Sequence, residues 1–176
     1  MPDNPRIAVV LGSRSDLKLF KASRMWEVFT ACRIPWRLAV LSAHRHDDDL
    51  QMFCREMLDY KNVCAIIGAA GMTPALPGAL AAKTGGAIPI LGVPLSTASP
   101  DSFMAIHAIT GLPPRTVAAA FGFDAPGLIN AAIFAAQIVA KTDLQIAYHL
   151  ALHLDTKAKE KPPEHEIPLT ELEKEA

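Results

Sequence analysis

The chain has 176 residues, of which 51% are hydrophobic and 20% charged, enough apolar material for one core and too much for a disordered segment. Its formal net charge of −1 gives no basic field for holding nucleic acid. No apolar run is long enough to span a membrane, and the first, residues 7–11, is too short for a secretory signal. With three cysteines in no CxxC spacing, the composition predicts a cytoplasmic protein with reduced thiols.

Strands and helices alternate from the start of the chain. The run IAVVL at residues 7–11 predicts a strand buried on both faces, and apolar residues at helical spacing predict a helix over 17–31. A second strand is predicted over residues 36–41. The helix predicted next, over 47–60, has three aspartates in its first turn, where the helix dipole favours acidic side chains.

The same alternation continues through the second half of the chain. The predicted elements are a strand over 63–67, a short helix ending near Lys83, strands over 88–92 and 117–121, and helices over 130–141 and 144–157. This pattern predicts a single α/β domain over residues 1–156, a three-layer α/β/α sandwich with a mostly parallel, flavodoxin- or Rossmann-like sheet. Residues 157–176 alternate in charge and contain three prolines, which predicts an exposed, partly disordered tail.

Three turns rich in polar or small residues follow the first three predicted strands. They are GSRSD at residues 12–16, SAHR at 42–45 and GAAGMTPALPG at 68–78. In open α/β sheets, ligands bind in the crevice beyond the carboxyl ends of the strands. The sequence therefore predicts the functional site at these three turns.

The first turn joins a buried strand to a helix N-terminus. Free backbone N–H groups there favour an anion, and Ser13 and Ser15 add hydroxyl donors. Asp16 is a candidate acceptor for ribose hydroxyls. The alternative is that Ser15 or Asp16 only caps the helix and that the glycine only permits the turn.

The second turn carries the residue types that catalysis and phosphate binding need. Arg45 can bind a phosphate with its planar fork, and His44 can transfer a proton near neutral pH. The alternative is an exposed pair with no task, and for neighbouring His46 no role is expected. The third turn has residues small enough for a planar base to approach the backbone, or it is simply a tight turn with close helix packing.

Together these turns resemble those of the PurE family. Its class I members, the N5-carboxyaminoimidazole ribonucleotide mutases, carry a GSxSD turn, an SAHR turn, a small-residue turn ending in LPG, and a GVP strand end. These motifs stand here in the same order and at similar spacings, at residues 12–16, 42–45, 68–78 and 92–94. With a later asparagine-alanine segment at 130–138, the resemblance covers residues 6–155.

The resemblance implies an enzyme of de novo purine biosynthesis. The family reaction moves a carboxylate from the exocyclic nitrogen of an aminoimidazole ribonucleotide to carbon 4 of its ring, with no metal or organic cofactor. Subunits of the family usually form a homo-octamer with sites at subunit boundaries. Carried over by motif position, His44 is the implied proton-transfer residue. The residues implied to hold the ribonucleotide are Ser13, Asp16 and Arg45, with Ser15, Ser42 and Gly71 as additional contacts.

Several positions depart from the class I pattern. Ala75 replaces the histidine before LPG, residues 46–48 read HDD where TPD is usual, and residues 95–115 lack an MPRG-like sequence. Arg45 is class I-like, because class II members usually have lysine there. The mutase is therefore the first expectation. Direct carboxylation of 5-aminoimidazole ribonucleotide with CO2, as in class II, and a non-catalytic or paralogous nucleotide-binding module of the same fold remain as alternatives.

Overall fold

The computed structural model describes residues 4–72, 75–96 and 102–159, and within these ranges the chain forms one five-stranded sheet. The strands are β1 (Ile7–Leu11), β2 (Trp36–Val40), β3 (Ala65–Gly71), β4 (Ile90–Leu95) and β5 (Ala119–Ala120). They lie in the order β2-β1-β3-β4-β5, and every pairing is parallel. This is the flavodoxin-like order, so the predicted parallel α/β fold is confirmed.

Helices connect the strands and cover both faces of the sheet. A 3₁₀ turn, Arg14–Asp16, follows β1. The α-helices of the described ranges are α1 (Leu17–Ser23), α2 (Trp26–Ala31), α3 (Asp47–Asp59), α4 (Ala75–Lys83), α5 (Ser102–Thr110), α6 (Asp124–Ala140) and α7 (Leu144–Lys159). None of the helices in these ranges is long and apolar enough to cross a membrane.

Two hydrophobic clusters divide the core at the sheet. Because successive side chains of a strand point to opposite faces, Ile7, Val9 and Leu11 of β1 pack with α1, α2, α6 and α7. Ala8 and Val10 pack on the other face with α3 and α4. All five residues of β1 have 0% exposure, as expected for the central strand of a sheet covered on both sides.

The prediction of one continuous helix over residues 17–31 is wrong. The chain leaves the helix at Arg24, whose φ of 54° is in the left-handed region. This break lets the side chain of Met25 become fully buried and brings the Trp26 ring to 5.3 Å from that of Phe20. Tertiary packing thus overrides a helical pattern that contains no glycine or proline to mark the break.

The third predicted strand is displaced toward the C-terminus. Residues 68–71, which were predicted to open a turn, belong to β3. Helix α4 packs closely on this strand at Gly68, because a Cβ atom there would lie 2.8 Å from Cδ1 of Leu80 and the leucine side chain would have to shift. The fourth strand shows a similar displacement, to Ile90–Leu95, and the fifth is only two residues long.

The helices of the C-terminal half also differ from their predicted bounds. Helix α5 was not predicted at all, and α6 begins at Asp124, six residues before the predicted start at Asn130. Helix α7 agrees with its predicted start and ends at Lys159. The exposed tail over 157–176 stays a prediction, because residues 160–176 lie outside the described ranges.

Candidate active site

The segments that follow β1, β2 and β3 meet at one edge of the sheet. These strands are neighbours, and their chain order reverses between β1 and β3, where such folds form a ligand crevice. A cavity of about 510 Å³ lies there. Its lining residues are Gly12, Ser13, Ser15, Asp16, Ser42, Ala43, His44, Arg45, Ala70, Gly71, Met72, Ala75 and Leu76. All seven site residues predicted from the sequence are among them.

Hydrogen bonds within the turn after β1 fix its shape. The backbone N–H of Ser13 donates to Oδ2 of Asp16 at 2.9 Å, and the Ser13 hydroxyl oxygen accepts the Ser15 N–H at 3.3 Å. This is a capping box. The Ser15 hydroxyl donates to the Ser13 hydroxyl oxygen at 2.9 Å. The N-cap side chain is therefore that of Ser13, and not that of Ser15 or Asp16 as in the alternative from the sequence. Ser13 and Asp16 also line the cavity, and their binding of a ligand stays a prediction.

Asp16 is the buried carboxyl group of the site, with 4% exposure. Burial raises the pKa of Asp16 because it penalises the charged form. Hydrogen bonds from the Ser13 backbone, the Ser15 side chain and the Gly12 backbone act in the opposite direction and favour the carboxylate. The cavity thus contains a desolvated acid held in place by its own turn.

The turn after β2 presents one buried and two exposed side chains to the cavity. Ser42 is 8% exposed, whereas His44 and Arg45 are exposed. No hydrogen bond or ion pair joins the His44 or Arg45 side chain to any other described residue, so both are available to a ligand. Arg14, the arginine of the neighbouring turn, is exposed and does not line the cavity.

His46, for which the sequence suggested no role, closes this turn. Its Nδ1 atom accepts the backbone N–H of Ser42 at 3.2 Å, and its own backbone N–H donates to the Ser42 carbonyl oxygen at 2.9 Å. A histidine a few residues after the end of a strand carries no signal for such a contact. The hydrogen bond from the Ser42 N–H to the His46 side chain depends on the geometry of the turn, which the sequence pattern does not reveal.

The end of β3 forms the remaining wall. A Cβ atom on Gly12 would lie 2.9 Å from Cβ of Ala70, so the glycine permits the close approach of β1 and β3 beside the cavity. Gly71 and Met72 follow, and Met72 is 69% exposed with a left-handed φ of 62°. Ala75 opens α4 at the cavity edge. Thr73 and Pro74 of this predicted turn lie outside the described residues.

A further polar contact at the end of β4 was not predicted. The carboxylate of Asp124 accepts the Ser96 N–H at 2.7 Å through Oδ1 and the Ser96 hydroxyl through Oδ2. Asp124 adopts a left-handed φ of 54°. The pair ties the end of β4 to the start of α6 but does not line the cavity.

The arrangement can bind an anion and move a proton. It combines an arginine, the hydroxyl groups of Ser13 and Ser15, a buried carboxyl group and an available imidazole around one cavity. The described ranges contain no group of three or more His, Cys, Asp or Glu side chains placed to hold a metal ion. Fold and site together define a flavodoxin-like α/β protein with a polar cavity at the β1/β3 switch point, where ligands bind in folds of this class.

Comparison with known proteins places the chain within this class. It belongs to the AIR carboxylase family, whose model matches residues 6–160, and the resemblance to the PurE family is thereby confirmed. It is 34% identical over 149 residues to the N5-carboxyaminoimidazole ribonucleotide mutase of Escherichia coli K12, covering 84% of this chain and 85% of that protein. The mutase of Pyrococcus abyssi is 33% identical over 136 residues, 77% of this chain and 74% of the relative.

A solved structure shows the same fold. Treponema denticola PurE superposes with a TM-score of 0.73 and 22% sequence identity, over 89% of this chain and 94% of that one. The crystal structure of a singly substituted PurE2 from the same organism gives the same TM-score, at 21% identity.

Proposed function

We propose that this protein is an N5-carboxyaminoimidazole ribonucleotide mutase acting in purine biosynthesis. The observation that carries the proposal is the adjacent pair His44 and Arg45, both lining the cavity that the Ser13–Asp16 capping box also lines. Relatives about one third identical over most of both chains bear this name. A site of this kind offers an anchor for the substrate phosphate and a group that moves a proton.

The ribonucleotide would be held mainly through its ribose phosphate. Arg45 and the hydroxyl groups of Ser13 and Ser15 supply donors for phosphate oxygens, because guanidinium and hydroxyl groups both hydrogen-bond phosphate. Asp16 would accept from a ribose hydroxyl. Ser42 would contribute a polar contact, and Gly71 would let the planar base lie against the backbone.

His44 would move the proton of the reaction. The bond between the exocyclic nitrogen and the carboxylate breaks and releases CO2, and the ring carbon 4 then attacks CO2 to form the new carbon–carbon bond. Carbon 4 must lose its proton for the ring to become aromatic again, and His44 accepts it. The exocyclic nitrogen gains the proton that balances the step. No electrons are exchanged with any other reagent.

Retention of CO2 beside its acceptor would accelerate formation of the new carbon–carbon bond. A molecule released within the cavity meets the ring carbon at a high effective concentration, which replaces chemical activation of the carboxylate. As written, this reaction calls for no metal or organic cofactor. We also propose a cytoplasmic location, since the three cysteines are free thiols.

We also propose that the subunits form a homo-octamer. Helix α7 exposes a stripe of apolar side chains at four-residue spacing, with Leu144 88%, Tyr148 67% and Leu152 52% exposed. Residues at such spacing share one helix face, and a second subunit would cover it. Light scattering on wild type and on Tyr148→Glu measures the mass of the assembly. We expect an octamer for wild type and smaller species for Tyr148→Glu.

The alternative reaction is the direct carboxylation of 5-aminoimidazole ribonucleotide with CO2. It is kept because Ala75, at the cavity edge, stands where the class I motif has histidine. A steady-state assay decides between the two. Purified protein is given either the N5-carboxylated ribonucleotide, or the uncarboxylated ribonucleotide with bicarbonate. A preference for the first substrate supports the mutase, and a preference for the second supports the carboxylase. Binding without turnover of either substrate supports a non-catalytic module.

A further inference from the structure

The turn that carries His44 and Arg45 runs from Ser42 to His46, and His46 makes two hydrogen bonds back to Ser42. Its Nδ1 atom accepts the Ser42 N–H at 3.2 Å, and its N–H donates to the Ser42 carbonyl oxygen at 2.9 Å. Its own carbonyl oxygen accepts the Leu50 N–H at 2.9 Å, the first hydrogen bond of α3. His46 thus joins the end of the β2 segment to the start of the following helix.

The Ser42 N–H needs a partner that the sheet does not supply. The ladder of β2 stops just before it, since the last bond to the neighbouring strand runs from the Leu41 N–H to the Leu11 carbonyl oxygen. Ser42 is only 8% exposed, and a buried N–H left without a partner costs stability. The His46 side chain fills this place, and for that Nδ1 must carry a lone pair while any ring proton is on Nε2.

The residue after His46 is anchored as well. Asp47 forms an ion pair with Lys83 at 2.8 Å, which ties the first turn of α3 to the end of α4. Between these fixed points, the His44 and Arg45 side chains make no hydrogen bond or ion pair to another described residue. Their direction is therefore set by the backbone of the turn. Two backbone bonds to the Ser42 carbonyl oxygen, from Arg45 at 3.3 Å and from His46, and the bond to the His46 imidazole hold that backbone.

We propose that His46 is a positioning residue for the reaction: its imidazole acts as a fixed acceptor that holds the turn so that His44 and Arg45 point into the cavity. This inference rests on the proposed function, because it assigns those two side chains to catalysis and binding. Small displacements of such groups from their productive positions cost rate. What His46 must provide is an acceptor atom at the Nδ1 position, and the Oδ1 atom of asparagine has nearly the same placement.

Two substitutions separate this role from general stabilisation. His46→Leu replaces the imidazole with an apolar side chain of similar size that has no acceptor, whereas His46→Asn keeps an acceptor. His107→Ala is the matched control, because His107 is also exposed but lies on α5 and does not line the cavity. The measurements are hydrogen–deuterium exchange of the Ser42 amide with residue-level mass spectrometry, and kcat and KM with the ribonucleotide.

For His46→Leu, we expect the Ser42 amide to exchange about tenfold faster, as the loss of one hydrogen bond implies. We expect kcat to fall by about 10- to 100-fold. His46→Asn should recover most of both quantities, and His107→Ala should match wild type. The proposal is overturned if His46→Leu keeps its slow Ser42 exchange or its kcat, or if His46→Asn is as impaired as His46→Leu. Because amide exchange is measured without substrate, it tests whether the His46 imidazole holds the Ser42 N–H even if wild type turns over neither ribonucleotide. Such an absence of turnover would defeat the proposed function, and unchanged exchange would defeat the role of His46.

Discussion

Ser13 donates its backbone N–H to Oδ2 of Asp16 at 2.9 Å, so the carboxyl group that caps the turn after β1 also faces the cavity. The turn is thereby shaped before any ligand binds. A site that is formed in advance loses less conformational entropy on binding. This arrangement keeps the Asp16 carboxyl group at 4% exposure, and burial there makes its ionisation less favourable.

Replacing this acid gives a pH-dependent effect on stability. Because burial raises the pKa of Asp16 above its value in the unfolded chain, its contribution to folding is most favourable when it is protonated and is lost as pH rises through the folded pKa. We therefore expect the free energy of unfolding of Asp16→Asn, minus that of wild type, to be larger at about pH 7 than at about pH 4. Urea denaturation of both proteins at the two pH values measures this. A difference that stays constant, or falls with pH, would contradict the assignment.

Gly12→Ala tests the close approach of β1 and β3 beside the cavity. The added Cβ atom would lie 2.9 Å from Cβ of Ala70, and both atoms are held by the sheet, so the strand ends must separate. We expect a loss of about 1–3 kcal/mol in free energy of unfolding. Gly122→Ala is the control, since no atom lies within 4 Å of its added Cβ, and its change should stay within about 0.5 kcal/mol. Equal effects of the two substitutions would refute this explanation of Gly12.

Met72 has a strained backbone conformation that replacement by glycine should relieve. Its φ of 62° is costly for a residue with a Cβ atom, whereas its side chain lines the cavity. We expect Met72→Gly to raise the free energy of unfolding by roughly 0.5–1 kcal/mol, after the extra entropy of glycine in the unfolded chain is counted. Met72→Ala removes the same side chain but keeps the strain. If both variants had the same melting temperature, the strain would be absent.

Arg45 and Arg14 form a matched pair for testing the phosphate contact. Both are exposed arginines in neighbouring turns, but only Arg45 lines the cavity. A phosphate contact is made in the ground state and in the transition state alike, so we expect Arg45→Ala to weaken ribonucleotide binding by about 10- to 100-fold with a smaller change in kcat. Isothermal titration calorimetry gives the affinities. Equal affinities for Arg45→Ala and Arg14→Ala would remove Arg45 from phosphate binding.

The sequence was most informative where one local cause dominates. Strand β1 was predicted residue by residue, because IAVVL is apolar throughout and is followed by a glycine. The same simple reasoning located the cavity, since parallel strands bring their carboxyl ends to one edge. All the predicted site residues therefore line one cavity, although their individual roles rest on the family resemblance.

Predictions failed where tertiary contacts outweigh local preference. Gly68 resembles a turn residue, yet it lies inside β3, paired with Val10 of β1 and Gly92 of β4, and Leu80 packs closely over it. The helix break at Arg24 follows from the burial of Met25 and not from a helix-breaking residue. His46 illustrates the same limit at the site, because a bond from a side chain to a backbone group becomes visible only with the turn in three dimensions.

In the proposed mechanism, this cavity transfers CO2 with His44 as the proton-transfer residue. The most direct measurement is the kcat of His44→Asn with the N5-carboxylated ribonucleotide, together with the dissociation constant of the same ligand. We expect kcat to fall by about 100- to 10,000-fold, the usual contribution of a positioned acid–base group, while the dissociation constant changes by less than about threefold. A variant that binds and turns over the ribonucleotide as wild type does would remove His44 from the mechanism.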